Sequence, residues 1–291
     1  MSSMPIISLN RTNDFFGREK EIRRINEALN DPGFVVVTGK MGSGKTAILR
    51  RIQEENSTRT TFIDMRCTDI RRTHEGIPDF RRITVLARTV EWNVLLDSMP
   101  PEKSSIIDAW KMSQLHCMRC AVAVRYSEGL IRDIQEELPG AAVVEVPPLT
   151  ERDTERYISL KAPGFRAVRA GIEYIHEVTD GMPLFIDSFL NVLSDGIIYG
   201  PVLLEENFKA KFQQIAFPWI AELNSLTLRE KNILSLLKEG PLGGDEIPAG
   251  SSELEELELR GLIELHGDKW NLDSELLRRV IVELENQTGC I

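Results

Sequence analysis

At 291 residues, with 42% hydrophobic and 27% charged content, the chain is long enough for two or three globular domains and is not disordered by composition. A net charge of −10 argues against a protein that coats nucleic acid, because neutralising phosphates takes Lys and Arg. No apolar run approaches the ~18–20 residues that cross a bilayer, the polar start is not a signal peptide, and four scattered cysteines make no disulfide framework. These features predict a cytoplasmic location without membrane association.

In chain order, Arg18 to Leu29 reads as a helix, with Ile22, Ile25 and Leu29 on one face and Glu19 and Glu21 in the first turn. Asp31-Pro32-Gly33 stops it. Phe34 to Thr38 is a short β-branched apolar run, the mark of a strand buried on both faces. A glycine loop, Gly39 to Gly44, leads into a helix over Thr46–Glu54. Further strands are expected at Thr60–Asp64, Ser105–Asp108, Ala121–Val124 and Ala141–Val146, with helices at Val85–Leu96 and Gly129–Leu138. Strand alternating with helix predicts an α/β fold, a parallel sheet sandwiched by helices, over residues 1–149.

Pro147-Pro148-Leu149-Thr150 marks a change of composition. Beyond it helices are expected at Glu151–Leu160, Arg166–Val178 and Leu184–Leu193, giving an all-α domain over 150–222, with another break at Pro218. From Thr227 to Gln287 the order is helix, short helix, helix, two β-like segments (Leu262–Leu265 and Trp270–Leu272) around the turn His266-Gly267-Asp268, and a final helix. That order outlines a winged helix-turn-helix domain over 223–291.

The chemistry centres on Gly39-Lys40-Met41-Gly42-Ser43-Gly44-Lys45-Thr46, which satisfies G-x-x-x-x-G-K-[ST] between a buried strand and a helix. Glycines let consecutive backbone N–H groups turn inward around phosphate oxygens, and the following helix adds the positive end of its dipole. Lys45 is expected to reach the β- and γ-phosphates and the Thr46 hydroxyl to ligate Mg²⁺. Such a site also wants a carboxylate at the end of another strand, holding Mg²⁺ through water. Asp64 and Asp108 both end candidate strands, and Asp108 is preferred because the strand ending in Asp64 comes next in sequence. Ala109 follows Asp108 where many ATPases place a water-orienting Glu, so binding is better supported than turnover.

Taken together, these residues resemble archaeal-type ATPases of the STAND branch of AAA+-related proteins. Asp14-Phe15-Phe16-Gly17-Arg18-Glu19-Lys20-Glu21 is similar to the family's F-x-G-R-E-x-E lead-in. Pro147 to Asp153 looks like its junction into a helical lid, and Thr179-Asp180-Gly181-Met182-Pro183-Leu184 resembles its G-x-P element. Arg125, after the fourth strand, occupies the place of its phosphate-sensing Arg. The resemblance implies a P-loop domain, a lid and a winged helix, binding ATP or ADP with Mg²⁺ and switching conformation to dock a protein partner. It implies that Phe16, Gly17, Arg18 and Pro183 border the nucleotide, and the chain departs from the family at Ala109. Other uses of the same residues stay open. Phe15 and Phe16 also suit a hydrophobic staple before a capped helix, Arg125 an exposed loop, and Gly181 with Pro183 a simple helix break.

Two signals are set aside. Cys117 and Cys120 have half the spacing of a zinc site but no second pair. Arg66 to Arg88 carries six arginines against three acids, a candidate contact surface for nucleic acid or an acidic partner, though with no aromatics beyond Phe80 it reads better as a solvated helical face. The C-terminal stretch 225–291 has seven basic and fourteen acidic residues, a balance of −7. Its candidate groove-reading helix, Ser252–Arg260, carries Glu253, Glu255, Glu256 and Glu258, which argues against DNA and for a protein contact. The resulting expectation is an ATP-binding switch with weak ATPase activity. A DNA-binding replication initiator and a non-hydrolysing nucleotide-bound scaffold are the alternatives.

Overall fold

The structure is a computed structural model that describes residues 16–31, 33–65, 93–99, 103–116, 118–194, 196–248 and 250–288. The arginine-rich segment 66–88, Phe15 and Cys117 lie outside these residues.

Five strands form one parallel sheet: β1 (Phe34–Thr38), β2 (Thr60–Asp64), β3 (Asn93–Asp97), β4 (Arg119–Ala123) and β5 (Ala142–Glu145), in the order β2-β3-β4-β1-β5. β1 is buried along its whole length. Because side chains alternate across a strand, Val35 and Val37 face one layer and Phe34 and Val36 the other. The first layer joins Ile25 and Leu29 of α1 (Glu19–Asn30) to Ile48, Leu49 and Ile52 of α2 (Lys45–Glu55). The second joins Ile106 of α3 (Lys103–His116) to Leu130 and Ile134 of α4 (Glu128–Glu137). The chain leaves β1 toward β2 at one edge and leaves β4 toward β5 at the other. The crevice between β1 and β4 is therefore a topological switch point, where open α/β sheets bind ligands.

Two expectations for this half are corrected. Ser105–Asp108 is not a strand but part of α3, where Ile106, Ala109 and Ser113 recur on one buried helical face. The third strand is Asn93–Asp97, which overlaps the end of the span read as the helix Val85–Leu96, of which 85–92 lie outside the described residues. Val94, Leu95 and Leu96 are fully buried, and a short apolar run of that kind suits a buried strand as well as a buried helix. Here strand pairing on both sides decides it.

After β5 the chain is mostly helical: α5 (Glu151–Lys161), α6 (Arg169–Thr179), α7 (Pro183–Leu190), α8 (Pro201–Ala210), α9 (Phe212–Ile215) and α10 (Phe217–Asn224). The Thr150 side chain accepts from the Asp153 amide and caps α5. Arg166 and Ala167 are not helical; as β6 they pair in parallel with β7 (Ile198–Tyr199). The break expected at Pro218 is present: α9 ends at Ile215 and α10 begins at Phe217, with the proline in its first turn, where a missing N–H costs no hydrogen bond.

The last stretch runs α11 (Leu228–Leu237), β8 (Leu242–Gly243), α12 (Ser251–Leu259), β9 (Ile263–His266), β10 (Lys269–Leu272) and α13 (Glu275–Thr288). A capping box between Thr227 and Glu230 starts α11. The three strands form an antiparallel sheet in the order β8-β10-β9, and Gly267, at φ +67°, makes the hairpin turn. One apolar cluster runs from Leu149 through Phe185, Trp219 and Leu257 to Ile281, joining this stretch to the helices before it.

Candidate functional site

The glycine loop rises from the carboxyl end of β1 at the switch point. Thr38 and Gly39 are fixed from both sides, through Val146 N to Thr38 O at 2.7 Å and Tyr126 N to Gly39 O at 3.2 Å. Gly42 and Gly44 adopt left-handed backbone, at φ +82° and +101°, which a side chain would strain. A Cβ at Gly42 would meet the Leu184 Cβ at 3.0 Å, whereas one at Gly44 would meet nothing within 4 Å. Gly44 is the N-cap of α2, so the helix begins where the loop ends.

Lys45 Nζ donates to the carbonyls of Gly39 at 2.6 Å and Lys40 at 2.9 Å, which folds it over its own loop. Burial, helped by the like charge of Arg125, pulls its ammonium down to about 8 against the opposing pull of Asp97 and Asp273. The Thr46 hydroxyl lies 2.9 and 3.1 Å from the two carboxylate oxygens of Asp97, at the end of β3. Asp97 is 1% exposed. The residue after it, Ser98, has φ +55°, which is rare outside glycine. The hydroxyls of Ser43 and Thr38 are buried with no hydrogen-bond partner among the described residues. Orphaned donors in a glycine cradle, a lysine and a Thr–Asp pair make a site fitted to phosphate oxygens and a divalent cation.

The structure brings most of the expected residues together. Arg18, 6% exposed, donates from Nη2 to Ser43 O at 3.1 Å and ties the start of α1 to the loop. Gly17 has φ +74°, and Phe16 and Met41 pack half-buried against the cluster of the C-terminal half. Pro183 opens α7, and the next amide, Leu184 N, donates to Gly42 O at 3.3 Å. Arg125, just beyond β4, donates to Glu222 Oε2 at 2.8 Å and to the carbonyl of Arg260. Lys40 projects to the hairpin, with Nζ 2.6 Å from Asp273 O, 3.2 Å from Asp273 Oδ1 and 3.2 Å from Glu264 Oε2.

Asp108 is the exception. It lies within α3 rather than at a strand end, so the premise for its metal role fails, and Ala109 beside it is a core residue. Asp97 stands where that carboxylate was sought. The signal was present in Asn-Val-Leu-Leu-Asp, which repeats the pattern of Phe34–Thr38: a short apolar run closed by a polar residue. Asp64, though it ends a strand, sits on β2 at the sheet edge. Glu222, Glu264 and Asp273 carried no local signal. Cys120 is buried in the core of β4, and burial raises its thiol to about 12.

Comparison with known proteins places this geometry. The AAA ATPase domain profile matches residues 14–161. No curated protein matches the chain. Among solved structures, the Walker-type ATPase PABY2304 of Pyrococcus abyssi superposes with a TM-score of 0.65 at 17% identity, covering 93% of this chain and 97% of that one. The RuvB Holliday junction branch migration motor of Thermotoga maritima gives 0.52 at 14% identity, covering 95% and 96%. At these identities the two neighbours establish the fold.

Proposed function

Since this chain belongs to the AAA ATPase domain family, we propose that it is an ATP-binding switch of the STAND kind, slow to hydrolyse, that acts on a protein partner. The observation that carries this reading is the Thr46–Asp97 pair at 2.9 and 3.1 Å beside Lys45, at the mouth of a glycine cradle. Lys45 would hold the β- and γ-phosphates, and Thr46 with Asp97 would hold Mg²⁺, which neutralises phosphate charge. Phe16, Gly17, Arg18 and Pro183 would border the nucleotide. Slow turnover rests on Ser98, since the residue after Asp97 is no carboxylate that could orient water.

A lid over 150–222 and a winged helix over 223–291 complete this reading. The acidic helix α12 supports a role in protein contacts rather than DNA, because Ser127 of the sheet half donates to its Glu258 at 3.0 Å. Four carboxylates on that helix suit such docking and would repel a polyanion.

The test is the melting temperature with Mg²⁺-ATP, Mg²⁺-ADP, Mg²⁺-GTP and no nucleotide, with phosphate release followed in the same samples. Ligand at about 100 times its Kd adds ~2.7 kcal/mol, a shift of ~5 °C or more for a chain of this size. Adenine nucleotides should stabilise, with little phosphate released. No shift with any nucleotide would end the proposal.

Binding should also depend on pH. Lys45 carries its charge below about pH 8 and loses it above, so affinity falls as pH rises through that value. Where the charged form is required, ATP should bind about tenfold more weakly near pH 9 than near pH 7. A flat profile by calorimetry would show that Lys45 contributes no charge to binding.

A further inference from the structure

Two cations beside the phosphate site are already held by carboxylates from the far end of the chain. Lys40, in the loop itself, is bound by Glu264 of β9 and Asp273 just after β10. Arg125, close enough to weaken the proton affinity of Lys45, is bound by Glu222 of α10 and the Arg260 carbonyl. These partners are separated by 224, 233 and 97 residues, so the contacts exist only while the C-terminal half is docked on the sheet. All three acids come from elements packed around one core, and they approach the loop from that side.

We propose that Glu222 and Glu264 act as internal substitutes for nucleotide phosphate, holding Arg125 and Lys40 so that docking of the C-terminal half and binding of ATP compete. This rests on the reading of the loop as an ATP site. A triphosphate brings several negative charges to a place that already holds carboxylates, so the same cations cannot serve both at full strength. The acidity of the C-terminal half then has a use without DNA: it complements the basic rim of the phosphate site.

Asp273 shares Lys40 with Glu264. It is 7% exposed, and burial, with Glu264 and Asp180 beside it, pushes its carboxyl up to about 6 against the pull of Lys40. Its carboxylate lies 3.2 Å from the Lys40 ammonium, and its backbone carbonyl accepts from the same nitrogen at 2.6 Å. Glu222, Glu264 and Asp273 all bridge the two halves.

The experiment is amide hydrogen exchange over residues 263–273 in the full chain without nucleotide, paired with calorimetric titration of Mg²⁺-ATP. Glu222→Gln and Glu264→Gln should each speed exchange of the hairpin and tighten ATP binding about fivefold or more. Asp273→Asn, which keeps the backbone carbonyl on Lys40 and removes one of its two carboxylates, should move both readouts in the same direction by a smaller factor. In the unmodified protein, adding ATP should speed hairpin exchange. Unchanged ATP affinity in both glutamate variants would overturn the competition, as would faster exchange without tighter ATP binding, the mark of simple packing damage. If the unmodified protein binds no ATP, the function proposed above falls and this inference with it. Binding that the glutamate variants do not alter overturns the inference alone.

Discussion

A Lys45→Ala variant should lose the stabilisation by Mg²⁺-ATP while folding as well as the unmodified chain. Lys45 is folded over its own loop, 2.6 and 2.9 Å from two backbone carbonyls, where it can exchange those partners for phosphate oxygens without large movement. A hydrogen bond from a charged donor is worth ~1.5–3 kcal/mol, so losing contacts to two phosphate oxygens weakens binding by about 100-fold or more. The fold itself loses little, because the buried ammonium gives up proton affinity to sit there. Calorimetry and a melting curve on the same preparation decide it. Affinity within about threefold of the unmodified protein would remove Lys45, and with it the phosphate site, from the account.

Replacing Trp219 by alanine should produce the largest loss of stability. Trp219 is 1% exposed and stacks on Phe185, with ring centroids 5.8 Å apart and planes 11° apart. The Phe185 ring lies 3.4 Å from where a Cβ on Gly42 would stand, so this stack supports the glycine loop from beneath. Emptying a tryptophan site in a packed core costs about 3–5 kcal/mol, or a melting temperature lower by ~10 °C. Nucleotide affinity should fall as well, because α7, whose Leu184 amide bonds Gly42 O, loses its backing. A change below about 1 kcal/mol would mean that the stack closes around the gap and bears no load.

The parts of the site that were legible in the sequence are the local ones. A phosphate loop must be a strand, a run of glycines and a helix in unbroken succession, so Gly39 to Thr46 declares itself in eight residues. Asp97 is just as near the chemistry but was hidden, since Val94-Leu95-Leu96 reads equally as helix or strand until its neighbours are known. Asp108 attracted the role because Ser-Ile-Ile-Asp has the look of a strand, whereas Ile106, Ala109 and Ser113 recur at helical spacing. The clamp on Lys40 leaves no local trace at all, since nothing in a lysine foretells an aspartate 233 residues away. The acidity of α12 pointed away from DNA, and only the fold supplies Ser127 as the partner of Glu258.

Pro147 and Pro148 are exposed between two residues that belong to different cores. Val146 is anchored to Thr38 in the sheet layer, and Leu149 to Gly181 in the helical cluster. Buried residues from Leu149 to Ile281 share that second cluster, and proline limits the backbone at the joint to few conformations. A swing at this joint would carry the part beyond it as a lever about one pivot. A displacement of a fraction of an ångström where Leu184 touches Gly42 would then be magnified at the hairpin tip in proportion to its distance from the pivot. Two spectroscopic labels, one on the sheet and one anywhere beyond the prolines, should therefore report the same transition.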